Sequence, residues 1–170
     1  MKAKESMQGK DSDEAAPASL ARKIDREALV AAIETELPEV EHYLDLRTGE
    51  ILTVVGYVQS DDAQTPGGVD SDNGGLALRI LAEPDSYAAV PSIAPEAGFR
   101  WMQEFSATVA DSSLREKLHG LLRDCTDDCF ESFRGALLDM PEAERERWFA
   151  FRNEMMEEFI NAWLEGVGAA

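Results

Sequence analysis

Two arginines that each follow a phenylalanine are the polar positions best suited to bind a ligand. They lie in the pairs Phe133-Arg134 and Phe151-Arg152. A guanidinium group donates two parallel hydrogen bonds to a carboxylate or phosphate and stacks on aromatic rings. The commoner role of such residues is an ion pair with a nearby Asp or Glu, and this chain has many of both. Arg134 and Arg152 are therefore the candidate ligand-binding residues, with ion pairing as the alternative.

The two cysteines do not form a recognisable metal motif. Cys125 and Cys129 are one helical turn apart, so both could share a helix face. A zinc site needs about two further ligands, usually His or Cys. The histidines are His42 and His119, and neither has a standard ligand spacing to the cysteines. We expect two small, half-buried thiols rather than a metal-binding or redox pair.

Other constellations that support catalysis are missing from the sequence. There is no G-x-S-x-G nucleophile motif and no phosphate-binding GK[ST] motif. A calcium-like stretch, residues 70–74, lacks the ligands required at the fifth and twelfth loop positions. Glu154, Glu157 and Glu158 would do acid–base work only if they were desolvated. We predict no catalytic residues, no cofactor and no metal, and we favour a non-enzymatic role without excluding an enzyme.

The formal net charge of −18 is spread along the 170 residues rather than collected in one segment. Phosphate backbones and anionic lipid surfaces bind basic surfaces, so the charge argues against direct nucleic-acid or membrane binding. No apolar run approaches the roughly 20 residues that span a bilayer. The polar N-terminus has no apolar core of a secretion signal, and only two cysteines are present. A cytoplasmic location is expected.

The elements that would position these residues are organised around the last long stretch, residues 141–164. Trp148, Phe151, Met155, Phe159 and Trp163 recur every three or four residues, which predicts one apolar face of a helix. A helix with so much aromatic area must bury that face against the preceding segments. Trp101, Trp148 and Trp163 are accordingly expected as core or interface anchors rather than a ligand cage.

The remaining chain predicts a mixed domain. A first helix is expected over residues 20–37, and the runs 42–46 and 51–58 flank a Thr48-Gly49 turn typical of a hairpin. Residues 59–75 are expected to form a flexible acidic loop, and residues 76–81 and 87–90 two more short strands. From Pro95 onward the pattern is helical. We expect a disordered tail over 1–19, one domain over 20–165 and a short tail over 166–170.

Five segments in this order resemble uncharacterised protein family 0158, a bacterial family. They are HYLDLRTGEIL, YAAVPSI, EAGFRWMQEF, FESFRGAL and ERWFAFRNE…WL, within residues 24–164. The resemblance implies a small α+β domain and carries over no catalytic or ligand residues. The family often shows an arginine-rich F-R-R-F-type segment where this chain has Phe130-Glu131-Ser132-Phe133-Arg134. A basic binding surface there would be weakened in this chain.

These observations predict an α+β fold. A small antiparallel sheet, built on the hairpin around Thr48-Gly49, would pack with an N-terminal helix and about four C-terminal helices. The preferred function is a non-catalytic cytoplasmic interaction or regulatory protein with a protein partner, and a homo-oligomer is possible. One alternative is a small-ligand-binding protein or enzyme with an Arg/carboxylate site between sheet and helices. Another is an acidic mimic of nucleic acid, which would require carboxylates at phosphate-like intervals on one face.

Overall fold

A computed structural model of the chain describes residues 23–56, 71–124 and 128–169. Within these ranges the fold is α+β, with an N-terminal helix, a three-stranded antiparallel sheet and four helices at the C-terminal end. This confirms the predicted fold class. The elements in chain order are α1 Arg26–Ile33, β1 Val40–Asp45, β2 Ile51–Val55, α2 Ser71–Ala82, a 3-10 turn Pro84–Ser86, β3 Tyr87–Ala89, α3 Pro95–Thr108, α4 Ser112–Asp124, α5 Cys129–Leu138 and α6 Glu142–Gly166.

The hairpin forms where the sequence predicts it. Strand β1 pairs antiparallel with β2 on one side and with β3 on the other, giving the order β2-β1-β3. Leu44 lies opposite Ile51 in the ladder. Gly49 has a φ of 79°, a left-handed conformation that suits glycine at the turn. The Asp45 carboxylate supports the same turn by accepting hydrogen bonds from the backbone N–H groups of Arg47 and Thr48 at 2.8 and 3.3 Å.

Side chains on the two faces of the sheet enter different apolar clusters, because successive residues of a strand point to opposite faces. Leu44 packs in a cluster with α1 and the C-terminal half of α6, whose members include Ile160. Its neighbour Tyr43 packs in another cluster with Val54 and with Ile80 of α2. The sheet is therefore covered by α1 and α6 on one face and by α2 on the other.

Helix α6 joins this arrangement to the C-terminal helices. Trp148 in its N-terminal half belongs to a cluster with residues of α3, α4 and α5. Met156, Ile160 and Leu164 in its C-terminal half belong to the cluster on the sheet. The predicted aromatic stripe is displaced, since Phe151, Phe159 and Trp163 are only partly buried beside this line. The long helix nevertheless has the central position that its pattern predicts.

The predicted strand over residues 76–81 is wrong, because this segment lies in helix α2. Leu76, Ala77 and Ile80 pack on the sheet cluster, a spacing that belongs to one helix face rather than to alternate strand positions. Leu and Ala are also strong helix formers. The helix begins at Ser71, so residues 71–75 are helical instead of part of the predicted loop. The Asn73 amide joins α2 to the edge of β2 through hydrogen bonds with Val55 N and O at 3.0 and 2.8 Å.

Both ends of the predicted domain differ from expectation in detail. In the described part of the helix predicted over residues 20–37, the helical residues are Arg26–Ile33. Asp25 caps this helix, and its carboxylate accepts a hydrogen bond from Ala28 N at 3.0 Å. At the other end, the predicted tail starts inside α6, and Ala169 is fully buried in the sheet cluster. The predicted disordered segment 1–19 and residues 59–70 of the predicted loop lie outside the described residues.

Candidate functional site

A groove with a volume of about 600 Å³ lies between α1, α3, α5 and α6. Both arginines singled out from the sequence, Arg134 and Arg152, line it. Its lining is otherwise largely apolar and aromatic, with a few charged groups around it. The lining residues are Ile33, Glu34, Glu36, Ser92, Ile93, Ala94, Pro95, Gly98, Trp101, Met102, Phe130, Phe133, Arg134, Leu137, Leu138, Arg145, Trp148, Phe149 and Arg152.

Two helices present matching faces to this groove. Helix α5 contributes Phe130, Phe133, Arg134, Leu137 and Leu138, and α6 contributes Arg145, Trp148, Phe149 and Arg152. Both sets follow the spacing i, i+3, i+4, i+7, which places their members along one side of a helix. Each helix therefore brings aromatic surface and guanidinium groups to the same side.

Part of the groove wall is held in place by aromatic packing. The ring of Trp148 meets Phe133 edge-on with centroids 4.9 Å apart. It also meets Phe105, with ring centroids 5.2 Å apart and an interplanar angle of 70°. Such edge-to-face pairs are favourable arrangements of aromatic rings. Trp148 therefore lines the groove from a fixed position, anchored from behind by the core.

Gly98 allows a close approach of α3 and α5 beside this wall. A Cβ atom added to Gly98 would lie 2.9 Å from Cε1 of Phe130. Real Cβ atoms do not tolerate that distance, so any larger residue would displace the Phe130 ring. The Phe130 side chain is half exposed and lines the groove.

The three arginines of the groove differ in their partners. Arg152 forms an ion pair at 2.6 Å with Glu34, the residue that follows α1, and this is the alternative role considered for it from the sequence. Arg145 donates a single hydrogen bond to the backbone oxygen of Leu138 at 3.3 Å. Arg134 makes no hydrogen bond or ion pair with any residue that the structure describes. The groove thus brings together one neutralised arginine and two whose donors are largely unused.

The ion pair of Arg152 also shows how α1 is attached. Arg26 at the other end of α1 donates to Glu157 at 2.5 Å and to Asn161 at 2.8 Å on α6. The order of these contacts means that α1 and α6 run in opposite directions. The C-terminal end of α1, with Glu34, is thereby placed at the groove.

The other sequence candidates lie away from the groove. Neither His42 nor His119 lines it. His42 Nδ1 lies 3.0 Å from Thr53 Oγ1, and its Nε2 is buried without a hydrogen-bond partner in the described part of the chain. Burial lowers the pKa of His42 below its ordinary value. Over residues 23–56, 71–124 and 128–169, no group of three or more His, Cys, Asp or Glu side chains is placed to hold a metal ion.

Cys129 differs from the sequence expectation of a thiol, because it is disulfide-bonded. The only other cysteine in the sequence, Cys125, lies outside the described residues. The calcium-like stretch is also changed: Asp70 is not described, and the stretch from Ser71 onward begins α2.

A second polar cluster, at the hairpin turn, has structural contacts throughout. Arg47 donates to the Asp45 carboxylate at 3.2 Å, to Glu83 at 2.8 Å and to the Tyr87 hydroxyl at 2.6 Å. Burial raises the pKa of Asp45, but the hydrogen bonds and charge of Arg47 outweigh it, so that pKa lies below its ordinary value. The pKa of Arg47 is raised, chiefly by its hydrogen bond to Asp45. This cluster fastens the turn to β3.

Sequence reasoning missed several groove residues. Arg145 and Phe149 are not among the residues predicted for the apolar face of α6, although their spacing to Trp148 and Arg152 forms a second stripe beside it. That spacing was a usable signal. Glu34 gave no such signal, because nothing local to α1 indicates that its C-terminal end meets α6.

Comparison with known proteins places the chain in a family. The model of an "Uncharacterised protein family (UPF0158)" matches residues 21–168. The chain belongs to this family. A curated relative, the UPF0158 protein PA5073 of Pseudomonas aeruginosa strain PAO1, is 26% identical over 142 residues, covering 84% of this chain and 81% of the relative. No solved structure matches the chain.

Membership of the UPF0158 family confirms the resemblance found in the sequence. Four of the five segments that carried it supply groove residues: YAAVPSI, EAGFRWMQEF, FESFRGAL and ERWFAFRNE. The fifth, HYLDLRTGEIL, forms the hairpin with its Asp45–Arg47 cluster. Among the helices of the described ranges, none has the length and apolar character to cross a membrane.

Proposed function

We propose that this protein is a non-catalytic binding protein, of the interaction or regulatory kind, and that it holds its ligand in the arginine-rimmed groove. The observation that supports this is a single groove in which Arg134 and Arg152 meet a largely apolar wall. Its volume of about 600 Å³ falls within the range typical of ligand sites. A mostly apolar lining with a few convergent polar groups is the usual composition of such sites.

The rim of the groove supports binding over a purely internal cavity. Phe130, Leu138 and Phe149 line it and remain 50%, 72% and 57% exposed. Exposed apolar patches mark surfaces that bind partners or ligands, and these three side chains surround one groove. A partner's side chain or a small molecule would bury them.

The polar groups of the groove support binding rather than chemistry. Its described lining contains arginines, two glutamates and a serine, but no histidine, lysine or cysteine. Glu34 is already engaged in an ion pair with Arg152. Arginine stays protonated in proteins and binds anions rather than transferring protons.

The groove is tested with N-phenyl-1-naphthylamine, an uncharged apolar dye that fluoresces when it leaves water. We expect saturable binding by the native chain. The affinity should be at least about fivefold weaker in Phe149→Ser, because the loss of an apolar wall of the groove costs roughly 1 kcal/mol or more of binding free energy. Leu78→Ser is the matched control, since Leu78 has the same 57% exposure but lies on α2, outside the groove.

Equal loss of dye affinity in both variants would mean that the dye reads general surface apolarity. Absence of saturable binding by the native chain, or unchanged binding in Phe149→Ser, would overturn the proposed function. Circular dichroism of both variants checks that the helices are retained.

A further inference from the structure

We infer that the occupant of the groove is a small apolar monocarboxylate, whose carboxylate is held by Arg134 and whose apolar body lies against the aromatic wall. This rests on the proposed function, because it names the ligand class for the same groove. Three features carry it: the apolar lining, the guanidinium of Arg134, which has no partner among the described residues, and the balance of charges around the groove.

The apolar body follows from what lines the groove. Trp101, Met102, Phe133 and Trp148 line it as buried or nearly buried residues, and Phe130 and Phe149 line it as exposed ones. A polar ligand would lose its hydration against these side chains without gaining hydrogen bonds. An aliphatic or aromatic body gains by leaving water along the same surface.

The anionic group follows from Arg134. The chain has 34 acidic and 16 basic residues, and five of the ten arginines that the structure describes form ion pairs with carboxylates. Arg134 nevertheless makes no ion pair or hydrogen bond with any described residue, while it lines the groove. A guanidinium with all its donors available beside an apolar surface can hold a carboxylate through two parallel hydrogen bonds.

A single negative charge fits the groove better than several. Three arginines and two glutamates line it, so its lining carries one net positive charge. Glu34 and Arg152 neutralise each other, and Glu36 would repel a second anionic group. The net charge of −18 of the whole chain repels polyanions at long range, and this repulsion grows with the charge of the ligand. Nucleic acids and strongly acidic proteins are therefore disfavoured relative to a monoanion.

The inference is tested with decanoate, decanol and decyl phosphate. They share one apolar chain and carry a charge of −1, no charge, and about −1.5 to −2 near pH 7. Binding is read from tryptophan fluorescence, because Trp101 and Trp148 line the groove, and is checked by calorimetry below the micelle concentration of each probe. We expect decanoate to bind about tenfold more tightly than decanol, a gain typical of a charge-assisted hydrogen bond, and more tightly than decyl phosphate.

Arg134→Gln removes the proposed anchor, and Arg100→Gln is its matched control. Arg100 is an exposed arginine of α3 that does not line the groove. Since Arg134 has no described partner, its loss should leave the fold intact, which thermal unfolding verifies. We expect Arg134→Gln to weaken decanoate binding about tenfold and leave decanol binding unchanged, with no change in Arg100→Gln.

The outcomes separate this inference from the proposed function. Equal affinities for decanoate and decanol, or a decanoate affinity that Arg134→Gln leaves unchanged, would overturn the monocarboxylate while groove binding stands. If decyl phosphate bound more tightly than decanoate, the anionic group of the ligand would be a phosphate and the inferred carboxylate would be wrong. If an amphipathic helical peptide with one glutamate bound more tightly than decanoate, the inference of a small ligand would be overturned in favour of a protein partner. Failure of all probes, together with failure of the uncharged dye, would overturn the proposed function as well.

Discussion

At the scale of single residues, Asp45 and Arg134 show opposite uses of charge. Asp45 is buried, and its carboxylate accepts hydrogen bonds from two backbone N–H groups and from the Arg47 side chain. Its negative charge is therefore balanced by hydrogen bonds within the hairpin. Arg134 is exposed and has no described partner, so its positive charge remains available to a ligand. Contacts, rather than residue type, separate the structural group from the candidate functional one.

Asp45→Asn is expected to lower the free energy of unfolding at pH 7 by about 1–3 kcal/mol, because hydrogen bonds to a charged group are lost. The pKa of Asp45 lies below its ordinary value in the folded chain. Its stabilisation is therefore complete above the unfolded-state pKa of about 3.9 and is lost as the pH falls through the folded pKa.

Urea unfolding at pH 7 and at several values below pH 4 measures this difference. The gap between native chain and Asp45→Asn should narrow as the pH falls. Asp85→Asn, an exposed carboxylate in the nearby 3-10 turn, is the control and should change little. A gap that stays constant down to low pH would mean that the charge of Asp45 contributes nothing.

At the scale of elements, α6 is the link between two parts of the core. Its N-terminal half packs with α3, α4 and α5, and its C-terminal half packs on the sheet and α1. The same helix carries one side of the groove through Arg145, Trp148, Phe149 and Arg152. A rigid 25-residue helix therefore fixes the groove relative to the sheet.

Ile160→Ala tests this link. Ile160 is fully buried in the sheet cluster, so its truncation to alanine should lower the free energy of unfolding by about 2–5 kcal/mol. Because α6 is continuous, we expect the distant groove to unfold together with the sheet. In a Trp163→Phe background, tryptophan fluorescence reports only Trp101 and Trp148. The unfolding midpoint followed by this fluorescence should shift as much as the unfolding midpoint followed by circular dichroism.

Asn153→Ala, at an exposed position of the same helix, serves as the control and should shift neither midpoint by more than about 0.5 kcal/mol. Two separate transitions in Ile160→Ala, with the fluorescence midpoint unmoved, would show that the two parts of the core unfold independently.

At the scale of the whole molecule, the excess of acidic residues opposes compaction. Like charges repel one another in the folded chain, and dissolved salt screens this repulsion. The ion pairs between described residues mostly involve exposed side chains, such as Arg26–Glu157 and Lys117–Asp139. Exposed pairs contribute little, with a median of about 0–1 kcal/mol each. Net repulsion should therefore dominate the salt response.

Raising sodium chloride from about 10 to 300 mM, across which the Debye length falls from about 30 Å to well under 10 Å, should raise the urea midpoint of unfolding. Urea is uncharged and does not itself screen. The same salt steps with Arg134→Gln, which adds to the negative charge, should give an equal or larger rise. A midpoint that falls with salt would mean that specific ion pairs outweigh the net repulsion.

The sequence by itself determined the elements with strong local signals. The aromatic period of α6 and the Thr48-Gly49 turn each specify a conformation within a few residues, and the structure contains both. Residues 76–81 had a weaker signal, because a short run of Leu, Ala and Ile suits either a strand or a helix. Packing of that run against the sheet decided for the helix.

Only the tertiary structure decided the candidate site. The groove joins the end of α1, the start of α3 and faces of α5 and α6, which are up to 118 residues apart between Glu34 and Arg152. The sequence marked Arg134 and Arg152 as equal candidates, since each follows a phenylalanine. The folded chain made them unequal by bringing Glu34 to Arg152 and no described carboxylate to Arg134. Local periodicity fixes which way a side chain faces, whereas its charge partner depends on which distant segment packs beside it.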